Sequence, residues 1–295
     1  MELRVLTYFL TVAREENITR AAALLHITQP TLSRQLMQLE EELGVKLFLR
    51  KNHSISLTEE GMLLRRRAQE LVSLAEKTKR ELKYEENLAG EIAIGSGEYQ
   101  NSRLLAAIMA AFQRQHPGVE YELYSGNSDN IKERIERGTL DMGLLLEPVD
   151  VDKYEFLRMP HSEEWGIWVR KDSPLAERDF VTPRDLAQSS LIFSRRDLVK
   201  TEIANWFGAS AEQLQVSASG NLLYNLAALG EQEIGMVLGL KLNCQYDGMR
   251  YVPLQPKLES YNVLAWKKNQ TVSPTVNAFL NFTKKYLKGI SDNEK

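Results

Sequence analysis

The chain has 295 residues, of which 43% are hydrophobic and 26% charged, and this composition is that of a globular protein with about two domains. Its net charge of −3 excludes a nucleic-acid binder that is basic throughout, although not one with a local basic patch. A single cysteine, Cys244, excludes an intramolecular disulfide framework and any zinc site that needs two thiolates. We find neither a signal-peptide pattern nor the roughly 18 apolar residues of a membrane helix, and we therefore expect a cytoplasmic protein with no membrane partner.

The first 58 residues have the pattern of three short helices followed by a small two-stranded wing. Apolar steps of three and four residues predict the first helix, and an alanine-rich segment that starts near Ile18 predicts the second. Thr28 is a suitable N-cap for the third helix, which tolerates Pro30 in its first turn and ends at Gly44. The buried stripe of this third helix is predicted to be Leu32, Leu36, Leu39 and Leu43. The predicted wing strands are Val45–Phe48 and Ser54–Leu57.

A long helix follows Thr58, which is a good cap, with Glu59 and Glu60 favourable at the positive end of its dipole. Apolar and small residues recur along it at steps of four and three residues, close to the period of a coiled-coil seam. The stripe consists of Leu64, Ala68, Leu71, Ala75, Thr78 and Leu82. We expect it to pair with a second subunit in a homodimer or homotetramer; packing on its own chain is the alternative.

From Gly90 onward, apolar segments of strand length alternate with helical segments. The predicted strands are Ile92–Gly95, Val119–Tyr124, Met142–Leu146, Trp165–Val169, Leu191–Phe193, Leu214–Val216, Ile234–Leu238 and Tyr261–Trp266. The predicted helices are Arg103–Gln115, Asn130–Glu136, Pro183–Ala187, Lys200–Phe207, Leu222–Leu229 and Pro274–Tyr286. This alternation indicates an α/β region with largely parallel strands, and its length makes two lobes plausible.

The second and third predicted helices, joined by a short turn, describe a helix-turn-helix. The outer face of the third helix carries side chains that hydrogen-bond to base edges and phosphates: Gln29, Thr31, Ser33, Arg34 and Gln38. Glu40, Glu41 and Glu42 at its far end would be repelled by phosphate, so the N-terminal half of the helix is expected to enter the groove. The alternative is a set of solvated polar positions on a small helical bundle.

The residue order of this segment resembles that of the LysR-type transcriptional regulators. The matching residues are Phe9, Val12, Ala13, Asn17, Ile18, Thr19, Arg20, Ala21, Ala22, Leu25, Thr28, Gln29, Pro30, Thr31, Leu32, Ser33, Leu39, Glu40, Leu43, Gly44, Leu47, Phe48, Arg50, Leu57, Thr58 and Gly61. His116-Pro117-Gly118-Val119, Gly126 and Gly138-Thr139-Leu140-Asp141-Met142-Gly143 resemble the first effector lobe of that family. The resemblance covers the whole chain.

The resemblance implies an all-α winged helix-turn-helix domain at residues 1–58 and a linker and dimerisation helix at 59–89. It implies a two-lobed α/β effector region similar to periplasmic binding proteins. Residues 90–161 plus 267–295 would form lobe 1, and residues 162–266 would form lobe 2.

For DNA, the resemblance places Gln29, Pro30, Thr31, Ser33 and Arg34 at the groove. Two further residues, Arg50 and Lys51, would lie near backbone phosphate, while Arg20 either touches phosphate or is solvated. Because the unit would be dimeric, two recognition helices would read an interrupted dyad in double-stranded promoter DNA.

For a small-molecule effector, position in the fold points to Ser96, Gly97, Asn127, Ser194 and Asn221. Ser96 follows the first strand of lobe 1, where a helix N-terminus can present N–H groups to an anion, so we expect a small effector, possibly anionic. For each polar residue, an ordinary cap or turn is the alternative. The adjacent pair of Arg195 and Arg196 either binds a carboxylate or is a solvated loop.

The sequence thus predicts a DNA-binding regulator controlled by an effector between two lobes, contacting RNA polymerase if it is an activator. The alternative is a small-molecule binding protein in which residues 1–88 only oligomerise. An enzyme is the third possibility, for which we find no catalytic motif, no metal-ligand cluster and no cofactor motif in the sequence.

Overall fold

The computed structural model describes residues 1–51, 54–81, 88–209, 213–244 and 246–293, without the side chains of residues 50, 51, 54, 77, 80, 81 and 291–293. The helices are α1 (Leu3–Glu15), α2 (Ile18–Leu24), α3 (Gln29–Leu43), α4 (Glu59–Glu81), α5 (Asn101–Gln115), α6 (Ser128–Glu136), α7 (Pro183–Leu186), α8 (Asp197–Phe207), α9 (Leu223–Glu231) and α10 (Pro274–Asn293). The strands are β1 (Phe48–Lys51), β2 (Ser54–Leu57), β3 (Ala89–Ser96), β4 (Gly118–Ser125), β5 (Met142–Leu146), β6 (Tyr154–Arg170), β7 (Leu191–Ser194), β8 (Val216–Gly220), β9 (Met236–Leu240), β10 (Met249–Pro253) and β11 (Glu259–Lys267). The chain divides into two compact units, Met1–Tyr84 and Glu85–Lys295.

In the first unit, α1 to α4 surround one apolar core that includes the fully buried Phe9 and Leu32. Ala21 and Ala22 of α2 are buried there because their small side chains let the helices approach closely. Thr28 caps α3, with its Oγ1 accepting from Thr31 N at 3.4 Å. The helix-turn-helix and the first three predicted helices are therefore present.

Two details of this unit differ from the sequence-based expectation. Leu43 is 38% exposed rather than part of the buried stripe, because it ends α3 and the chain turns away at Gly44, whose φ is +69°. The first wing strand begins at Phe48 rather than Val45, because the side chain of Leu47 enters the core before the ladder with β2 starts. The second wing strand has the predicted bounds.

The predicted seam on α4 is partly used within the chain. Ala68 is fully buried in the helix-turn-helix core and Leu64 packs against the same core, because the first turns of α4 lie along α1. Ala68 is therefore covered by its own chain, which was the alternative for the seam, whereas Leu64 is half-buried and its place in a dimer seam stays a prediction. Leu71 is 42% exposed and Ala75 is half-buried, whereas Leu82 lies outside the described residues.

The second unit contains a nine-stranded mixed sheet, whose main path runs β4-β3-β5-β11-β6-β9-β7-β8, with β10 paired to β6. Parallel pairs lie toward both ends, whereas the central strands β11 and β6 are antiparallel to their neighbours. The prediction of largely parallel pairing is therefore correct only for the outer strands.

The long strand β6 joins two lobes. Its residues 154–164 pair with β11 beside β5, and residues 165–170 pair with β9 and β10. We call the part around β3, β4, β5 and β11 lobe 1, and the part around β7 to β10 lobe 2. Separate apolar clusters cover the two faces of each part.

Several strands were predicted incompletely. Only Trp165–Val169 of β6 was predicted, because exposed and buried residues are mixed in its first half, and β10 was missed. The predicted strands Leu214–Val216 and Ile234–Leu238 start two residues before β8 and β9, and the first of them ends four residues too early. The chain returns to lobe 1 before the predicted residue 267, since β11 pairs with β5 from Asn262 onward. The reason is that the buried residues Val263–Ala265 complete the sheet of lobe 1. None of the described helices is long and apolar enough to cross a membrane.

Candidate functional site

The outer face of α3 is the first candidate site. Gln29, Pro30, Thr31 and Arg34 are exposed, and Ser33 is half-buried. Gln29 Nε2 donates to Ser33 Oγ at 2.8 Å within the helix. The guanidinium of Arg34 makes no hydrogen bond or ion pair with any described residue, so it is free to contact an outside ligand.

At the C-terminal end of α3, Glu40 bonds the segment that leads into the wing, a role that the sequence did not predict. Glu40 accepts hydrogen bonds from Leu47 N at 2.8 Å, Phe48 N at 3.3 Å and Lys46 Nζ at 2.8 Å. Partial burial works to raise its pKa, but the bonds from Lys46 and the two backbone N–H groups outweigh burial and hold the pKa below its usual range. Glu40 therefore fixes the start of the wing to α3.

Two basic residues, Arg50 and Lys51, are predicted near phosphate, and for Arg20 the sequence leaves phosphate contact and solvation open. The side chains of Arg50 and Lys51 lie outside the described part of the chain, although their backbone pairs with β2. Arg20 lies beside Glu15, with its Nε 3.8 Å from Glu15 Oε2 and its Nη2 donating to Glu15 O at 3.4 Å. Phosphate contact by Arg50 and Lys51 therefore stays a prediction.

The second candidate site is a cleft between lobes 1 and 2 that encloses about 580 Å³ of free space, part of it open to solvent. Four of the five predicted effector residues line it: Gly97, Asn127, Ser194 and Asn221. Ser96 is buried behind the cleft, with its Oγ bonded to Gly97 O at 2.9 Å and 3.2 Å from Ser102 Oγ. Ser96 is therefore a structural residue at the end of β3 rather than part of the cleft wall.

The helix N-terminus expected to bind an anion after Ser96 is already occupied. Gln100 N and Asn101 N donate to the carboxylate of Glu163 at 2.9 and 3.0 Å. Glu163 is fully buried, so its charge is stabilised by these N–H groups and by the dipole of α5. The expectation that this helix end presents free N–H groups to an effector is wrong, because the chain supplies its own carboxylate there.

Asn127 caps α6, so the alternative of an ordinary helix cap applies to this residue. Its Oδ1 accepts from Asp129 N at 3.1 Å and from Asn130 N at 2.9 Å. Asn221 is exposed, and its Nδ2 donates across the cleft to Asn130 Oδ1 at 3.4 Å. Ser194 Oγ accepts from Arg196 N at 3.4 Å.

For Arg196 the sequence leaves carboxylate binding and a solvated loop open, and in the structure this residue is only 4% exposed and lines the cleft. Its Nη1 donates to Leu146 O at 3.1 Å, its Nη2 to Pro148 O at 2.7 Å, and its Nε lies 3.4 Å from Asp129 Oδ1. Each nitrogen of this guanidinium therefore bonds lobe 1. The neighbouring Arg195 is exposed, so only one of the pair is a solvated loop residue.

Glu98 and Tyr99 also line the cleft and were not predicted. The carboxylate of Glu98 accepts from Leu223 N, the first residue of α9, and thus bonds lobe 1 to lobe 2. Burial raises the pKa of Tyr99 to about 12, although a hydrogen bond with Ser128 and the charge of Arg196 lower it, so the phenol stays neutral. The only sequence signal for Glu98 was its position in the Ser96–Glu98 loop.

The remaining wall of the cleft is apolar, and its large side chains are Leu146, Trp165, Leu222, Leu223, Leu226, Leu238 and Leu240. Within the described ranges, no three His, Cys, Asp or Glu side chains are placed together to hold a metal ion. The cleft can therefore enclose a small, mainly apolar molecule and orient it with a few polar groups.

Residues 3–62 match the family described as bacterial regulatory helix-turn-helix protein, lysR family, and residues 85–288 match the LysR substrate binding domain. The Hca operon transcriptional activator HcaR of Escherichia coli (strain K12) is 28% identical over 300 residues, covering 99% of this chain and 100% of its own. The uncharacterized HTH-type transcriptional regulator YybE of Bacillus subtilis (strain 168) is 28% identical over 290 residues, covering 95% and 97%.

Among solved structures, full-length CbnR complexed with its target DNA has a TM-score of 0.73 at 19% identity, covering 97% of this chain and 99% of that chain. This likeness concerns the fold alone, and it confirms an N-terminal helix-turn-helix region followed by a two-lobed α/β region. The sequence matches confirm the family, since together they span most of the chain. The chain therefore belongs to the LysR family and is a DNA-binding transcriptional regulator with an effector-binding region.

Proposed function

We propose that the exposed face of α3 reads the major groove of promoter DNA through Gln29, Pro30, Thr31, Ser33 and Arg34. The observation that carries this proposal is the exposed Arg34, whose guanidinium has no partner among the described residues. Arginine bonds guanine or phosphate, and the amide of Gln29 can bond adenine. The basic wing side chains, Arg50 and Lys51, would add phosphate contacts.

Two copies of the chain pair through the exposed part of α4 in this proposal. Leu71 and Leu74 are each 42% exposed and lie on one face of the helix, at a step of three residues. Ala75 and Leu82 would continue the contact, whereas Ala68 is already covered by its own domain. Pairing of two subunits would place two α3 helices on an interrupted dyad in the cytoplasm, and contact with RNA polymerase would follow if the protein activates.

The cleft holds the effector in this proposal, with Gly97, Asn127, Ser194 and Asn221 as contacts. Residues 1–58 would read DNA and residues 59–89 would link and dimerise. Lobe 1 would comprise residues 90–161 with the C-terminal segment from Asn262 onward, and residues 162–261 would form lobe 2. An anionic effector would need a donor other than the α5 N-terminus, which Glu163 occupies.

A competition binding assay tests the DNA-reading proposal. Labelled DNA from just upstream of the protein's own gene is mixed with excess unlabelled shuffled DNA at fixed, near-physiological salt. Arg34→Ala should weaken binding about 10- to 100-fold, since one good side-chain contact to a base is worth roughly 1–3 kcal/mol. The matched control is Arg184→Ala, an exposed arginine of α7, which should leave binding unchanged.

Equal binding by the wild type and Arg34→Ala would contradict the proposal for α3. It would mean that residues other than Arg34 supply the contacts that hold the DNA. Unchanged thermal stability of Arg34→Ala is expected in either case, because the side chain bonds nothing else in the described chain.

A further inference from the structure

The charge of the effector is not fixed by the family, but the cleft of this chain restricts it. Among the described residues that line the cleft, only Glu98 and Arg196 carry a charge. Arg196 is bonded through all three nitrogens to Leu146 O, Pro148 O and Asp129. Its positive charge is therefore already balanced by Asp129, and its donors are directed at lobe 1.

The negative charge of Glu98 is not balanced by a positive side chain among the described residues. Its Oε2 accepts from Leu223 N, and its Oε1 has no donor among the described residues. No lysine, arginine or histidine in the described ranges forms an ion pair with it. One oxygen of a half-buried carboxylate therefore remains available on the cleft wall, and its negative charge is stabilised only by the N-terminal end of α9.

The helix ends that could receive an anion are filled by the chain itself. Glu163 occupies the N-terminus of α5, Asn127 caps α6, and Glu98 occupies α9. The first turn of α8 already carries an acidic residue, Asp197. A carboxylate or phosphate in the cleft would meet Glu98 as a like charge, which disfavours its binding at a desolvated contact.

The other walls suit a cation with an apolar body. Tyr99 and Trp165 supply aromatic rings, and Trp165 Nε1 is already satisfied by Ser260 Oγ at 2.8 Å. Aromatic faces attract ammonium groups, and the leucines around them accept an apolar body.

We infer that the effector is a small organic cation, a protonated amine on an apolar body, which donates a charge-assisted hydrogen bond to Glu98 Oε1. This inference rests on the proposed function, in which the cleft between lobes 1 and 2 is the effector site. An ammonium at this position would satisfy the free oxygen and balance the charge of Glu98.

Isothermal titration calorimetry with the full chain tests the inference at near-neutral pH. The probes are benzylamine, benzyl alcohol and benzoate, which share size and ring but differ in charge. We expect benzylamine to bind the wild type about 10-fold or more tightly than benzyl alcohol, and benzoate to bind more weakly than both. In Glu98→Gln the amide oxygen can still accept from Leu223 N, so the charge is removed with little change of shape, and the preference for the amine should disappear.

Glu155→Gln is the matched control, because it removes an exposed carboxylate of β6 outside the cleft. It should retain the wild-type order of the three probes. Benzoate binding as tightly as benzylamine, an amine affinity unchanged in Glu98→Gln, or binding of no probe would each overturn the inference.

The same experiment separates the inference from the proposed function. Tight benzoate binding that Asn221→Trp abolishes would keep the cleft as the effector site and remove only the cationic class. A different result would count against both the inference and the proposed function. In that result no probe binds, and promoter binding by Asn221→Trp does not respond to any of the three probes.

Discussion

The outer face of α3 and the cleft of the second unit use polar residues in opposite ways. On α3 the polar side chains are exposed, and the guanidinium of Arg34 bonds nothing in the described chain. In the cleft the charged side chains are already bonded: Arg196 to two carbonyls and Asp129, and Glu98 to the first N–H of α9. Behind it, Glu163 is fully buried against α5.

This difference explains which site the sequence could predict. A helix face that reads DNA is local, so one stripe of leucines and one stripe of polar residues describe it. A cleft is built from loops distant in sequence, and whether a polar group faces a ligand depends on which distant group already bonds it. Substitutions of polar residues on α3 should therefore change DNA affinity, whereas substitutions of many polar residues around the cleft should change the free energy of unfolding.

The largest expected effect is at Glu163. Replacing it by Ala leaves the backbone groups Gln100 N and Asn101 N without their acceptor in a largely buried place, whereas Asn101 Nδ2 keeps His161 O and Asn262 Oδ1. Leaving buried donors unsatisfied costs roughly 1–3 kcal/mol each, so we expect a loss of about 3 kcal/mol or more in the free energy of unfolding. For a unit of this size that corresponds to a fall in Tm of roughly 6–12 °C, measured by differential scanning calorimetry.

The exposed Glu155 lies on the same strand β6, so Glu155→Ala is the matched control and should change Tm by about 1 °C at most. A similar small shift for Glu163→Ala would mean that the carboxylate is not a structural anchor. The helix end of α5 would then be free for an outside anion, and the contrast between the two sites would fail.

Much of the fold follows from the sequence because its signals are local. Thr28, Thr58 and Gly44 mark helix ends correctly, and β5 was predicted with its bounds, since a continuous apolar run is unambiguous there. The exposed first half of β6 and the strand β10 were missed, because their pairing partners are distant and their polar residues hide the alternation. Ala68 was misassigned for a similar reason. The helical spacing of its stripe fits packing against a partner helix and packing against its own domain equally well.

The cleft was predicted in position but not in chemistry. Gly97, Asn127, Ser194 and Asn221 line it, whereas Ser96 is turned into the loop. No local pattern shows that a glutamate more than sixty residues later, Glu163, fills the end of α5. A buried internal carboxylate and an external ligand satisfy the same N–H groups, so only the folded structure distinguishes them.

A smaller effect is expected at Glu40, which links α3 to the wing. Because the folded chain holds its pKa below the ordinary value of 4.5, the stabilisation from this carboxylate is complete at neutral pH. It is lost as the pH falls below about 4.5 and through the lowered folded pKa. Glu40→Gln should therefore cost about 1 kcal/mol at neutral pH and progressively less in acid, measured by urea unfolding at several pH values.

Glu41→Gln is the neighbouring control, since Glu41 is exposed, and it should leave the free energy of unfolding nearly unchanged at every pH. A cost for Glu40→Gln that stays constant down to about pH 3 would show that the stabilisation does not come from the negative charge of Glu40. The exposed face of α3 would then depend on packing alone for its position relative to the wing.

The smallest expected effect on stability is at Asn221, the cleft residue that most resembles the exposed side chains of α3. Its amide is exposed, and its contact with Asn130 Oδ1 is long, at 3.4 Å, so water can replace it at little cost. Asn221→Ala should change Tm by no more than about 1–2 °C. If its side chain contacts the effector, ligand affinity should fall in the same variant, as DNA affinity falls in Arg34→Ala. A Tm drop of the size expected for Glu163→Ala would instead make Asn221 a fixed link between the lobes, because only a buried and well-formed bond costs that much to remove.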